Sequence, residues 1–285
     1  MQPIDVDETY HFFNPRAGVS YSPGKRHNFY FSFAVAQKEP TRSDFTDRYM
    51  FSGDDSYPSS EKLYDYELGY TYTSPRFSAG VNLYYMKYKD QLVPTGMVND
   101  DSNALNTNVP DSYRRGVELS ASWRATGWFT VGANATFSQN RIENYVDALK
   151  DSPTYGKELG DMTIAYSPDV IANAFLNFHH RGFEAVFHTQ HVGKQYFTNN
   201  ENDALSLDAY CVTNLNLAYT FRTRSARSVR LGLLINNLFN AEYESNGYGY
   251  SYMDTWSGPA PVRIDEAYYF PQAPLNVLAN VTVKF

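Results

Sequence analysis

Several absences narrow this 285-residue sequence before any motif is read. It holds one cysteine, Cys211, so no internal disulfide can form and redox chemistry does not report the compartment. No apolar run approaches the ~18 residues of a membrane helix. The net charge is -7 and Lys and Arg form no cluster in the sequence, which argues against nucleic acid as a partner. The phosphate loop G-x-x-x-x-G-K-[ST], the G-x-G-x-x-G fingerprint and the G-x-S-x-G elbow are missing, and no Ser/His/acid or paired-carboxylate signature stands in their place. The reading is therefore a non-enzyme with no cofactor. Met1 is followed by QPIDVDETYHFF, which has no basic start, apolar core or cleavage site. A fragment or mature form is expected, or else a chain that never crosses a membrane.

Aromatic residues are plentiful: 25 Tyr, 19 Phe and 3 Trp, against a mean hydropathy of -0.50. Low hydropathy is compatible with a transmembrane barrel, which turns half of its strand residues away from lipid. Alternation with period two runs through the chain. The last stretch, LNVLANVTVKF, puts Leu275, Val277, Ala279, Val281, Val283 and Phe285 on one parity, and Asn276, Asn280, Thr282 and Lys284 on the other, with Leu278 as the exception. The same pattern marks Phe29 to Val35, Tyr64 to Tyr72, Phe77 to Tyr85, Val117 to Trp123, Phe129 to Phe137, Ala172 to Phe178, Phe183 to Phe187, Leu207 to Phe221 and Val229 to Ile235.

With a first strand around Arg16 to Tyr21, about eleven strands are predicted. Within pairs the links are tight, such as SPGKRH from Ser22, SPR from Ser74 and HRG from His180; between pairs they are long and polar, around residues 39–61, 89–112, 142–168, 198–206 and 240–272. Aromatics such as Tyr21, Phe29, Tyr72, Phe77, Trp123, Trp128, Phe178, Phe183 and Phe221 flank the short turns, as an interfacial girdle would. The fold expected is all-β: a transmembrane antiparallel β-barrel segment in a bacterial outer membrane, its short turns and C-terminus periplasmic. Single-chain bacterial barrels have even strand numbers, so an odd count points to one part of a larger barrel.

Specific stretches then resemble TonB-dependent outer-membrane receptors: FNPRAGVSY from Phe13, SFAVAQKEPTRSDF from Ser32, YSPDVIANAFLNF from Tyr166 and above all INNLFNAEY from Ile235 to Tyr243. The resemblance implies a 22-stranded barrel of which residues 1–285 form the C-terminal half, with the plug domain and the first strands outside this sequence. It implies outer-membrane lipid, the protein's own plug, the TonB energy-transducing complex and the outer-membrane assembly machinery as partners. It also makes Val281, Val283 and Phe285 of the last strand an assembly signal. The function implied is TonB-dependent uptake of a scarce ligand such as a siderophore, haem or vitamin; the alternative is a passive porin-like channel.

For ligand contact the sequence offers Tyr248, Tyr250, Tyr252 and Trp256 in YESNGYGYSYMDTW, either as flat amphipathic faces in an outer loop or as wall residues above the membrane. Parity assigns Asn82, Glu118, Asn134, Asn173, Asn214 and Asn216 to the lumen. His188 and His191 have H-x-x-H spacing, but on a strand an offset of three puts them on opposite faces, so no metal site is expected. Asp54, Asp55, Asp100 and Asp101 sit in acidic loops that match no defined calcium loop and read as solvated.

Overall fold

The computed structural model describes residues 7–48, 57–98, 104–149 and 151–285. Its first part runs β1 (Arg16–Tyr21), β2 (His27–Lys38), a short helix α1 (Arg42–Arg48), β3 (Glu61–Thr73), β4 (Phe77–Val98), β5 (Ala104–Arg124), β6 (Phe129–Ile142), β7 (Met162–Thr163) and β8 (Val170–His180). There follow β9 (Phe183–Val192), β10 (Gln195–Tyr196), β11 (Ser206–Leu207), β12 (Tyr210–Phe221), β13 (Ser228–Asn236), β14 (Glu244–Asp254), β15 (Val262–Pro271) and β16 (Asn276–Lys284).

Alternating β-branched and aromatic side chains favour the extended state, and the tight links then fold successive strands back on themselves. The shortest link, between β8 and β9, uses Arg181 at φ 48° and Gly182 at φ 87°. Only glycine fits the second position, because a Cβ there would lie 2.3 Å from the Thr220 carbonyl oxygen of the neighbouring strand. The result is one antiparallel sheet in the order β1-β2-β3-β4-β5-β6-β8-β9-β12-β13-β16, with β7 paired to β6 as a stub. Eleven strands on one path match the number read from the sequence. Among the described residues β1 pairs only with β2 and β16 only with β13, so the sheet is open at both edges.

Register assigns the faces, since directly opposed residues share one. Phe31, Leu68, Leu83, Val117, Phe137 and Val170 follow one another across six strands. Val131, Leu176, Phe187, Leu215, Ile235 and Val277 make a second row through the other half. Six of these twelve side chains are exposed, with Leu68 at 52%, Phe137 at 49% and Val277 at 53%, and the other six are half-buried; none is buried. Near the short turns, Phe129 stacks on Phe178 at 4.5 Å, Trp128 on Phe178 at 6.1 Å, and Tyr72 meets Phe77 at 6.2 Å.

The ends opposite the short turns differ from expectation. Residues 89–112 read as a long polar link, yet β4 and β5 continue in register from Lys89↔Asp111 to Pro94↔Asn106 and close at Val98↔Ala104. The ladder is held by tertiary burial that local pattern does not report: Val93 and Leu105 are almost wholly buried. Residues 240–272 likewise contain a hairpin, β14 with β15, instead of an irregular loop. Leu207, read as the start of a strand, pairs with Gln195 in the small β10–β11 ladder, and the long strand begins only at Tyr210.

These segments form a cap with two cores of its own. Val93, Val109, Ile142, Tyr145 and Ile164 make one, with Leu159 and Met162 against it; Phe197, Leu205 and Leu207 make the other, with Ala267 against it. Asn199, wholly buried, ties the β10–β11 segment to two others: its Nδ2 donates to the Pro94 carbonyl at 2.5 Å, and its Oδ1 accepts the Ala165 N–H at 2.7 Å. Glu201 accepts from Arg141 and from the Thr163 N–H. The cap therefore spans from β4 to the link after β9.

Candidate functional site

The β14–β15 hairpin owes its shape to a division of residue sizes along β14. Gly247, Gly249 and Ser251 occupy one parity, and Tyr248, Tyr250 and Tyr252 the other. The small side lies on the second cap core: a Cβ at Gly249 would come within 2.9 Å of Leu205 and Phe197 side-chain carbons. The tyrosine side therefore faces away from it. Across the ladder Asn246 opposes Phe270, Tyr248 opposes Tyr268, Tyr250 opposes Glu266 and Tyr252 opposes Ile264.

The rings form a continuous surface. Tyr248 stacks on Tyr268 at 4.9 Å and 14°, Tyr250 lies 6.3 Å from Tyr268 and 6.4 Å from Tyr252, and Tyr248 is 6.2 Å from Phe270. Three phenols converge on one carboxylate. Tyr250 and Tyr268 each donate to Glu266 Oε2 at 2.8 Å, and Tyr252 donates to Oε1 at 3.1 Å. Those donations hold the Glu266 carboxyl below the usual carboxylate range, with Tyr250 contributing most. In return the hydrogen bond to Glu266 raises the phenols of Tyr250, Tyr252 and Tyr268. The arrangement is a flat aromatic face with one ionised group fixed in it, suited to a ring-shaped or hydroxylated ligand with a cationic or donor edge.

Of the four residues singled out in the sequence, the structure brings Tyr248, Tyr250 and Tyr252 together. Trp256 sits apart in the linking turn, 83% exposed, its backbone N–H donating to Asp254 Oδ1 at 2.9 Å. Glu266, Tyr268 and Phe270 were missed. The signal for them is the even parity of Ile264, Glu266, Tyr268 and Phe270 in VRIDEAYYF, which the reading of 240–272 as loop concealed.

INNLFNAEY has a structural task beside this site. Asn237, buried and at φ 52°, donates to the Ala241 and Ala273 carbonyls and accepts the Ala241 N–H, while Asn240, at φ 53°, accepts the Leu275 N–H. The two asparagines cap the end of β13 and fix where the hairpin leaves the sheet.

The six residues assigned to the lumen all lie on the face opposite the exposed apolar rows. Asn82 opposes Glu118 and donates to it at 3.2 Å, Asn173 opposes Asn134 and donates to it at 3.2 Å, and Asn214 accepts the Asn237 N–H at 2.9 Å. Asn216 opposes Leu234, and Leu234 opposes Leu278, the one residue that breaks the parity of the last strand. His188 opposes Phe175 and Asn214 on this face, whereas His191 opposes Ala172 and Cys211 on the apolar one. No three His, Cys, Asp or Glu side chains cluster as metal ligands among the described residues. Asp54, Asp55, Asp100 and Asp101 lie outside the described residues.

A hollow of about 540 Å³ opens between residues 106–110 of β5 and residues 142–156, lined among others by Asn106, Asn108, Tyr145, Asp147 and Tyr155. Burial, with Asp147 nearby, pushes the Tyr145 phenol up to about 12.

A protein-family model described as TonB dependent receptor-like, beta-barrel, matches residues 4–238. Among solved structures, the ferric yersiniabactin uptake receptor FyuA from Yersinia pestis is 19% identical, with a TM-score of 0.65 over 95% of this chain and 37% of that one. The copper transporter OprC is 18% identical, with a TM-score of 0.68 over 93% and 38%. The siderophore receptor PiuA from Acinetobacter baumannii is 13% identical, with a TM-score of 0.66 over 93% and 35%. This chain spans little more than a third of the length of each.

Proposed function

The chain belongs to the TonB-dependent receptor family, whose barrels are outer-membrane proteins, and from that premise we propose that it is the C-terminal half of a 22-stranded barrel for TonB-dependent uptake of a scarce ligand such as a siderophore, haem or vitamin. The observation that carries this reading is the open eleven-stranded sheet with apolar side chains exposed along one face. An edge of unpaired backbone groups cannot rest in hydrocarbon, so β1 and β16 require further strands of the same barrel. Two of the matched structures, a siderophore receptor and a ferric yersiniabactin uptake receptor, favour a metal-chelate cargo.

Within that reading the short turns and the C-terminus are periplasmic and the cap faces outward. The face of Tyr248, Tyr250, Tyr252, Tyr268 and Glu266 contacts ligand, with Trp256 a neighbour on the same hairpin. Asn82, Glu118, Asn134, Asn173, Asn214 and Asn216 line the lumen against the plug, and Val281, Val283 and Phe285 serve the assembly machinery. Plug and TonB contacts belong to the rest of the protein.

The test is uptake by cells carrying the full-length protein, with and without TonB, using radio-iron siderophores, haem and cobalamin in turn. Accumulation of one of them that stops without TonB is the expected result. Equal entry in both strains, accompanied by ion conductance of the purified protein, would replace this reading with the passive channel.

A further inference from the structure

We propose that the turn end of the sheet is a docking surface for anionic phospholipid headgroups, a proposal that rests on the apolar face meeting lipid. The five short turns, residues 22–26, 74–76, 125–128, 181–182 and 222–227, contain seven Lys and Arg and no Asp or Glu, and an eighth cation, Arg124, is the last residue of β5 before the third turn. Lys25 and Arg26 stand in the first, Arg76 in the second and Arg181 in the fourth, and Arg124 ends β5 at the edge of the third. The fifth carries Arg222, Arg224 and Arg227. All eight are exposed.

None of them forms an ion pair among the described residues. The ion-paired cations are others, such as Lys87 on Asp111 and Glu143 and Lys194 on Asp203; of these pairs only Arg230 with Glu184 lies near the turns, at the starts of β13 and β9. The cap at the opposite end carries carboxylates of both kinds, Glu201, Asp203 and Asp265 in ion pairs and Asp147 and Asp254 outside them among the described residues. A chain of net charge -7 thus concentrates unneutralised positive charge at one rim. Solvation alone would be served by either sign; a rim with cations in or beside each turn creates a field that selects anions.

The depth of the rim fits headgroups. Arg76 adjoins Phe77, Arg124 adjoins Trp123, Arg222 adjoins Phe221, and Arg181 is two residues from Phe183. At about 3.3 Å per strand residue the guanidinium stems start ~3–7 Å beyond the aromatic ring. That is the span between hydrocarbon and water on one side of a bilayer, ~5–8 Å. Arginine's fork matches phosphate oxygens two at a time, and its long stem lets the head rise to them.

The experiment places the full-length protein in nanodiscs of phosphatidylcholine alone or with phosphatidylglycerol, releases it gently, and counts retained lipids by native mass spectrometry. Wild type is expected to retain phosphatidylglycerol selectively. Replacing Arg222, Arg224 and Arg227 together by Gln should weaken that retention roughly tenfold or more. Arg76→Gln with Arg124→Gln should lower it in the same direction from other turns, and Lys157→Gln in the cap should leave it unchanged. Indifference to headgroup, or an equal loss in the cap variant, would overturn the proposal while leaving the barrel reading intact. Failure of wild type to enter any nanodisc would instead sink the membrane reading, and the rim proposal with it.

Discussion

The spanning sheet and the cap obey opposite hydrophobic rules within one chain. In the sheet the largest apolar side chains are turned outward: Leu83 is 44% exposed, Leu119 45% and Leu231 44%. In the cap they are turned inward, with Phe197, Ile142 and Leu205 almost wholly buried. The same residue types reach both ends because the solvent differs. A sheet facing hydrocarbon needs no core of its own, whereas a cap in water must bury apolar surface to be ordered at all. Backbone polarity differs in parallel. The sheet interior satisfies its N–H and C=O groups chiefly by ladders, whereas the cap adds side chains such as Asn199 to its own short ladders.

The widest separation between the two regions should come from Phe197→Ala. At 1% exposure it anchors the second cap core and meets Tyr166 and Tyr269 at 5.8 Å each, so truncation should cost about 3–5 kcal/mol locally. Hydrogen exchange on the full-length protein should show lost protection at residues 195–207 and 244–271, with the sheet unchanged. Loss of protection in β12 and β13 to the same degree would mean that cap and sheet are one cooperative unit. Next in size is a charge on the apolar face. Leu217→Arg should cost about 2–4 kcal/mol of folding into lipid, against little for Asn216→Arg one residue away. Equal sensitivity at the two positions, measured by refolding titration, would break the assignment of faces.

Asn199→Ala should act only on the cap. It leaves the Ala165 N–H and the Pro94 carbonyl without their partner in a site with no exposure, at about 1–3 kcal/mol. Faster proteolytic nicking within 193–207 is the readout, and an unchanged nicking rate would show that water replaces the amide there.

Much of the sheet could be read from the sequence and much of the cap could not, for a physical reason. A strand with one lipid face writes its geometry locally, in parity, so the eleven strands and the faces of Asn82, Glu118, Asn134, Asn173, Asn214 and Asn216 follow from period two. Cap elements are ordered by contacts distant in sequence. Pro94, Gly96 and Asn106 disguise a ladder that Val93 and Leu105 stabilise from the buried side, and Glu266 meets Tyr250 only once the hairpin has formed. Tyr248, Tyr250 and Tyr252 were legible as a group because they share parity. Their carboxylate was not, since no spacing rule links two strands across an unrecognised turn.

The smallest effect expected, and the most specific to the cap, is on the ionisation of that group. Glu266 is depressed by its three phenols, so the cluster's contribution is present above the ordinary carboxylate pKa of ~4.3 and fades only as pH falls through the lower folded value. Tyr250, Tyr252 and Tyr268 are raised, so each phenol's donation is complete below the ordinary tyrosine value of ~10 and is lost as pH rises through the higher folded one. In Glu266→Gln the acceptor is neutral, and the three phenols should move back toward ~10. Subtracting the phenolate absorbance titration of the variant from that of the full-length protein should therefore leave a band above pH ~10 equivalent to fewer than four tyrosines, with Tyr145 cancelling because it is buried elsewhere. Superimposable titrations would mean that the phenols do not converge on Glu266 in solution, and the aromatic face would lose the one fixed charge that distinguishes it from an interfacial belt.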